Sequence, residues 1–255
     1  MQLFYKQYGA DKPPLIILHG LLGAHGNWHT LSRTVFSDHA TVYAVDQRNH
    51  GRSPHADTID YPSMAADLKA FIEEHSLAGV TVLGHSMGGK TAMEAALRYP
   101  DLISKLVVVD IAPRAYTPSH QALINALRSI DPTEYDSRSA IDDVLAEDVP
   151  SWPIRQFLLK NLDYSDDAYR WMPNLSAINA HYGALAGSVE ADGRYTKPAL
   201  FVRGGASGYI ADDDWPGIEE RFPDATLVTI PDAGHWVHAE APDELSEAVV
   251  RFLAN

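Results

Sequence analysis

Val80-Thr81-Val82-Leu83-Gly84-His85-Ser86-Met87-Gly88-Gly89-Lys90 is the stretch that decides the fold. Its first four residues are apolar or β-branched and predict a buried strand. Lys90–Tyr99 predicts a helix. Between them, residues 84–88 read G-x-S-x-G. A chain that turns this sharply from strand to helix lifts the central serine above the sheet edge. Side chains two before and two after the serine would collide with strand and helix, so glycine fills both places. The new helix aims its free N–H groups and positive dipole end at the Ser86 hydroxyl. The pentapeptide alone is a moderate signal, and the strand before it and helix after it make it a strong one.

Working outward, similar apolar runs recur at Leu15–Leu18, Val42–Val45, Leu106–Val109, Leu200–Val202 and Leu227–Ile230. Near-continuous runs suit strands covered on both faces, as in parallel sheets. Helical stretches alternate with them. In Ser63–His75, Met64, Leu68, Phe71 and Ile72 form one apolar face with Ser63 as candidate N-cap, and Pro242–Leu253 closes the chain with Leu245, Val249 and Phe252. This alternation predicts βαβ units and an open parallel sheet. From about Arg114 to Tyr195 the strand signals stop. Trp, Tyr, Leu and Pro are scattered there through helical fragments such as Ile154–Leu162, which predicts an inserted helical cap. The expected division is a core of residues 1–113 and 196–255 with a cap of residues 114–195.

A serine on such a turn calls for a base, an orienting acid and an oxyanion hole. His19-Gly20-Leu21-Leu22-Gly23 follows the Leu15–Leu18 strand, and a glycine-rich turn there can aim the Leu21 N–H at an acyl oxygen. The Met87 N–H, just after the serine, is the second expected donor. His19 is read as a brace for that loop. The base belongs after the last strand, where Pro231-Asp232-Ala233-Gly234-His235 directly follows Leu227–Ile230. His235 is therefore the candidate base, and His238 the rival expected to turn elsewhere. His85 is expected to point away from Ser86. For the acid, Asp110 closes the apolar strand Leu106–Val109 at the edge where Ser86 emerges. Asp212, Asp213 and Asp214 stand as alternatives that could simply cap the next helix.

Composition narrows the function classes. The 255 residues carry a formal charge of −14, from 20 basic and 34 acidic residues, which disfavours nucleic acid and anionic membranes as partners. Cysteine is absent, so no disulfide, thiolate metal site or cysteine nucleophile exists. No apolar run approaches the roughly 20 residues of a membrane span. The opening MQLFYKQYG lacks the plan of a secretory signal, so a cytoplasmic location is expected. The chemistry calls for no metal and no organic cofactor.

Seven stretches carry a resemblance: HGLLG at 19–23, VDQRNHGRSP at 45–54, YPSMAADL at 61–68, GHSMGGKTAM at 84–93, VVVDIAPRAY at 107–116, QFLLKNL at 156–162 and GHWVHAE at 234–240. Through them the chain resembles the small bacterial carboxylesterases of the YbfF type, within the α/β-hydrolase superfamily. The resemblance implies an α/β-hydrolase fold: a mostly parallel central sheet flanked by helices, with an inserted helical cap. It implies a serine esterase acting on a small-molecule acyl ester of short to medium chain length, with acyl-CoA thioesters as a further substrate class. In the superfamily the acid usually follows the seventh strand. In this group it ends the sixth, matching Asp110, and a serine holds the seventh-strand position, matching Ser207, an auxiliary partner for Asp110 or His235. Asp46–Gly51 matches as a loop bracing the oxyanion turn. Trp152, Phe157, Leu158, Trp171 and Tyr182 are candidate pocket residues or cap core. The stretch 120–150 departs from the pattern. A carbon–carbon bond hydrolase or acyltransferase with the same triad, and a non-catalytic ligand receptor, remain as other readings. Dehalogenases and epoxide hydrolases use a carboxylate nucleophile, against which Ser86 argues.

Overall fold

The continuous apolar runs become strands covered on both sides. In the computed structural model, which describes residues 1–255, nine strands form. They are β1 (Tyr5–Tyr8), β2 (Pro14–Leu18), β3 (Thr41–Val45), β4 (Val80–His85), β5 (Ile103–Val109), β6 (Leu162–Ser165), β7 (Ala168–Trp171), β8 (Ala199–Gly204) and β9 (Ala225–Ile230). Seven make one sheet in the order β1-β3-β2-β4-β5-β8-β9. Only β1 runs antiparallel, against β3. The side-chain period of two then sorts each run between two cores. Ile16, Leu18, Val82, Val108 and Phe201 enter one, while Leu15, Ile17, Leu83, Val107 and Val202 enter the other. All ten are buried, which is why these strands show no polar alternation.

Eleven helices complete the chain. Early on come α1 (His29–Thr34), α2 (Tyr61–Glu74) and α3 (Met87–Arg98). Next follow α4 (Gln121–Ser129), α5 (Arg138–Asp148), α6 (Trp152–Leu158), α7 (Leu175–Ala180) and α8 (Tyr182–Ala186). The last are α9 (Trp215–Arg221), α10 (Val237–Glu240) and α11 (Pro242–Ala254). Phe71 of α2, Ala92 of α3 and Ile218 of α9 cover one face of the sheet. Leu31 of α1 with Leu245 and Val249 of α11 cover the other. Burying a Leu, Ile, Val or Phe side chain is worth about 1.5–3 kcal/mol, so the two layers carry most of the fold's stability.

A third apolar cluster lies where α4 to α8 meet the core. Leu22, Tyr61, Met64 and Met87 there pack with Ile124, Leu127, Ile141, Leu145, Leu158 and Tyr182. Buried Tyr61 donates to the Leu185 carbonyl, and Lys90 Nζ to the Gly187 carbonyl, which ties the return of this layer to α2 and α3. Burial lowers the Lys90 pKa to about 7.

Two local readings change, and one strand joins them unread. The α2 N-cap is Asp60, whose carboxylate accepts from the Ser63 N–H, so the helix starts ahead of Ser63. Strand β1 joins the sheet edge although its residues are only partly apolar. The stretch 114–195 is not wholly helical, because β6 and β7 form a hairpin inside it.

The strand order fixes where a site can form. The chain leaves β2 for β3 on one side and returns to β4 on the other, so the loops after β2 and β4 diverge from neighbouring strands. Such a switch point opens a crevice at the carboxyl ends of the strands.

Candidate active site

Both loops at that crevice carry the residues singled out above. Ser86 follows β4 directly with φ 53° and ψ −117°, a left-handed backbone strained for any residue but glycine. Its N–H donates to the Val109 carbonyl at 3.0 Å, and its carbonyl accepts from Lys90 N–H at 3.0 Å. The glycines have steric causes. A Cβ on Gly84 would lie 2.1 Å from the Gly88 carbonyl oxygen, and one on Gly88 would lie 2.4 Å from that of Leu18.

His235 comes from the loop between β9 and α10. Its Nε2 lies 3.1 Å from Ser86 Oγ and its Nδ1 lies 2.8 Å from Asp110 Oδ2. The carboxylate can only accept, so the ring proton sits on Nδ1 and Nε2 is bare toward the serine. Tyr209 stacks on the imidazole at 3.8 Å between centroids.

Asp110 is fully buried at the end of β5. An ionised carboxylate there needs several donors. It has the Gly204 N–H at 2.9 Å on Oδ1, with the Ser207 hydroxyl and His235 on Oδ2. Its φ of 51° turns the carboxylate back under the histidine. The other candidate acids point elsewhere: Asp212 pairs with Arg203, Asp214 with Arg114, and Asp213 is exposed.

Leu21 lines the same chamber as Ser86, and Met87 follows Ser86 directly at the start of α3. Neither of their N–H groups donates to an acceptor of the protein, and the Met87 N–H is the free first donor of α3. The Leu21 loop is braced as read. His19 Nε2 accepts from Gln47 N–H at 3.0 Å, while Gln47 Nε2 donates to the His19 carbonyl at 2.7 Å. His50 Nε2 accepts the Leu22 N–H at 3.1 Å. Burial drives the pKa of His19 down and that of His50 to about 3, so both stay neutral acceptors. No group of three or more His, Cys, Asp or Glu side chains gathers in a metal-holding arrangement.

Above Ser86 lies a narrow chamber of about 40 Å³, lined by Gly20, Leu21, His120, Phe157, His235 and Trp236 among others. A groove of about 570 Å³ adjoins it, and Ile154, Phe157, Trp236 and His238 line both. Of the five pocket candidates, Phe157 alone lines the chamber. Trp152 is 63% exposed on the outer groove. Leu158 is fully buried in the third cluster, because one step along a helix rotates a side chain by about 100° from Phe157. Trp171 packs at that cluster's edge and donates to the Ile130 carbonyl. Tyr182 is buried and its hydroxyl accepts the His120 N–H.

Two histidines are placed differently from expectation. His85 does not turn away: its ring lies 4.8 Å from that of His235, and Nε2 donates to the His235 carbonyl at 2.8 Å. Burial holds its pKa well below the ordinary value, so no second cation forms beside His235. His238 also faces the chamber, stacked on Trp28 at 4.7 Å. Sequence reasoning missed Trp236, although it adjoins the candidate base in GHWVHAE. His120 carried no signal, since only the folding of the 114–195 stretch brings it to the chamber.

Residues 13–242 match the family model of the alpha/beta hydrolase fold. The sn-1-specific diacylglycerol lipase ABHD11 of Danio rerio is 38% identical over 251 residues, covering 95% of this chain and 79% of that protein. Esterase YbfF of Escherichia coli is 34% identical over 244 residues, covering 95% of this chain and 94% of that one. A solved marine microorganism esterase superposes with a TM-score of 0.95 at 44% identity, over 98% of this chain and 99% of that chain.

Proposed function

The chain belongs to the alpha/beta hydrolase fold family and is a hydrolase of its esterase and lipase branch, and from that premise we propose that it is a serine carboxylesterase cleaving short- to medium-chain acyl esters through Ser86, His235 and Asp110. One observation carries the reading. Ser86 Oγ, His235 and Asp110 stand in a hydrogen-bonded line of 3.1 Å and 2.8 Å, at a chamber that Leu21 also lines.

In the first step His235 Nε2 takes the Ser86 proton as Oγ attacks the ester carbonyl. The imidazolium is stabilised by buried Asp110. Charge gathering on the carbonyl oxygen is met by the Leu21 and Met87 N–H groups, a contribution of roughly 2.7–4 kcal/mol per donor in such sites. His235 then gives its proton to the departing alcohol. Water, activated by the same nitrogen, frees the acid and restores Ser86. The narrow chamber over Ser86 favours a small acyl group, and the adjoining groove has room for the longer part of the substrate. The same steps open an acyl-CoA thioester.

Ser86→Ala is expected to lower turnover of a p-nitrophenyl ester by roughly 10⁴-fold or more while circular dichroism stays unchanged. Turnover near the wild-type rate in a clean preparation would overturn the assignment. A panel of ester chain lengths with one acyl-CoA then sets the substrate class.

A further inference from the structure

The hydrogen bonds of the Gly20–Gly23 turn form an unbroken line from the layer of α4 to α8 to the Leu21 N–H. Asn161, in the QFLLKNL stretch that no catalytic role has used, is buried between α6 and β6. Its Nδ2 donates to the Leu22 carbonyl at 2.7 Å and to the Leu158 carbonyl at 3.1 Å. The Leu22 carbonyl shares a peptide group with the Gly23 N–H, which donates to the Gly20 carbonyl at 3.0 Å. The Gly20 carbonyl in turn shares a peptide group with the Leu21 N–H. His19 Nδ1 donates to the same Gly20 oxygen at 2.8 Å, its Nε2 being occupied as an acceptor. A carbonyl that accepts a hydrogen bond makes the N–H of its own peptide group a stronger donor, so polarisation runs along such a line.

Two observations show that this turn depends on outside support. Leu22 sits at φ 57°, where a tight turn ordinarily carries glycine. Its N–H is held by His50 from the core side and its carbonyl by Asn161 from the other. The Asn161 Oδ1 is buried without any partner. An amide with one end unsatisfied is a poor choice for packing alone, which points to what its other end does.

We propose that Asn161 is a positioning residue for the oxyanion donor: through two peptide groups its amide orients and polarises the Leu21 N–H, so the layer that carries Asn161 contributes to the oxyanion hole without touching it. This rests on the roles given above to Ser86, Leu21 and Met87. It separates the donor's existence, which belongs to the β2 loop, from its readiness, which belongs to residue 161.

The test uses Asn161→Ala and the isosteric Asn161→Asp, whose carboxylate cannot donate to Leu22. Active sites are counted with a fluorophosphonate taken to completion. The expected result is a fall in kcat per counted site of about tenfold to a hundredfold, under the 10²–10³ typical of deleting a donor outright, with KM little changed. The Ki of a trifluoromethyl ketone, whose hemiketal oxyanion occupies the hole, should weaken by the same factor, while that of the product alcohol stays put. The Leu21 and Gly23 amide protons should move upfield. A kcat per counted site within twofold of wild type in either variant, or a lowered kcat with an unmoved ketone Ki, overturns the proposal. A wild type that takes no fluorophosphonate would instead refute the Ser86 reading beneath it.

Discussion

Ser86, Asp110 and Leu22 are non-glycine residues with positive φ, and all three stand at one crevice. Each such backbone costs of order 1–3 kcal/mol and persists only where its surroundings fix it. On the proposed reading the strain has a use at each place: Ser86 lifts its hydroxyl clear of the sheet, Asp110 turns its carboxylate under His235, and Leu22 shapes the turn that carries the Leu21 N–H. Asp110 also settles the tautomer, since an acceptor at Nδ1 leaves Nε2 free as a base. Asp110→Asn could instead offer an N–H to Nδ1 and reverse the ring. Steady-state kinetics should show a loss of about 10⁴ in kcat for that variant. The same change at Asp212, Asp213 or Asp214, none of which touches His235, should cost less than threefold, in keeping with surface substitutions. A larger loss at any of those three would move the acid to the later loop. The contact of Asp110 with His235 was legible because a carboxylate closing an apolar strand is costly without a purpose. The orientation of His85 was not, because its place depends on the His235 carbonyl, which arrives from a loop 150 residues away.

At the scale of elements, the runs that were read correctly are those buried on both faces. Burial on two sides leaves no alternation to confuse with a helix, so β2 to β5 and β8 stand out in the sequence; edge strand β9 is only half-buried and stands out by the apolar run Leu227–Ile230 alone. The strands that escaped notice are half-exposed. Tyr5–Tyr8 lies at the sheet edge, and Leu162–Ser165 and Ala168–Trp171 pair only with each other, so neither apolar run nor strict alternation marks them. Pairing with a neighbour, rather than composition, makes them strands. The same limit governs the pocket. The α6 sequence announces aromatic and aliphatic residues, but which of Trp152, Phe157 and Leu158 faces Ser86 depends on how the helix is rotated against the third cluster. That rotation is set by contacts from α5. The Asn161 contact with Leu22 spans 139 residues and likewise leaves no local trace.

The whole molecule combines an acidic exterior, with a net charge of −14, and buried imidazoles at its centre. His19, His50 and His85 are buried, with pKa values lowered first by desolvation, and that of His238 falls to about 4 for the same reason. Each is neutral when folded and would gain a proton when unfolded below about pH 6.5. The unfolded chain therefore binds more protons between that pH and the folded value, and stability must fall on acidification across this window. His50, with a folded value of about 3, alone should cost roughly 2 kcal/mol between pH 6.5 and pH 5. Urea unfolding from pH 7 to pH 5 should show a steady decline in unfolding free energy at constant m-value. A flat or rising profile would mean that these rings are not held neutral. No helix is long and apolar enough to cross a membrane.

The central claim is that one hydroxyl, Ser86, does the covalent chemistry. Intact-protein mass spectrometry after exposure to a fluorophosphonate, followed by peptide mapping, tests it most directly. A single adduct per chain should form, map to Ser86, and remove ester turnover in proportion to labelling. A saturating adduct on any other residue, or full turnover by a chain fully labelled at Ser86, would contradict the account.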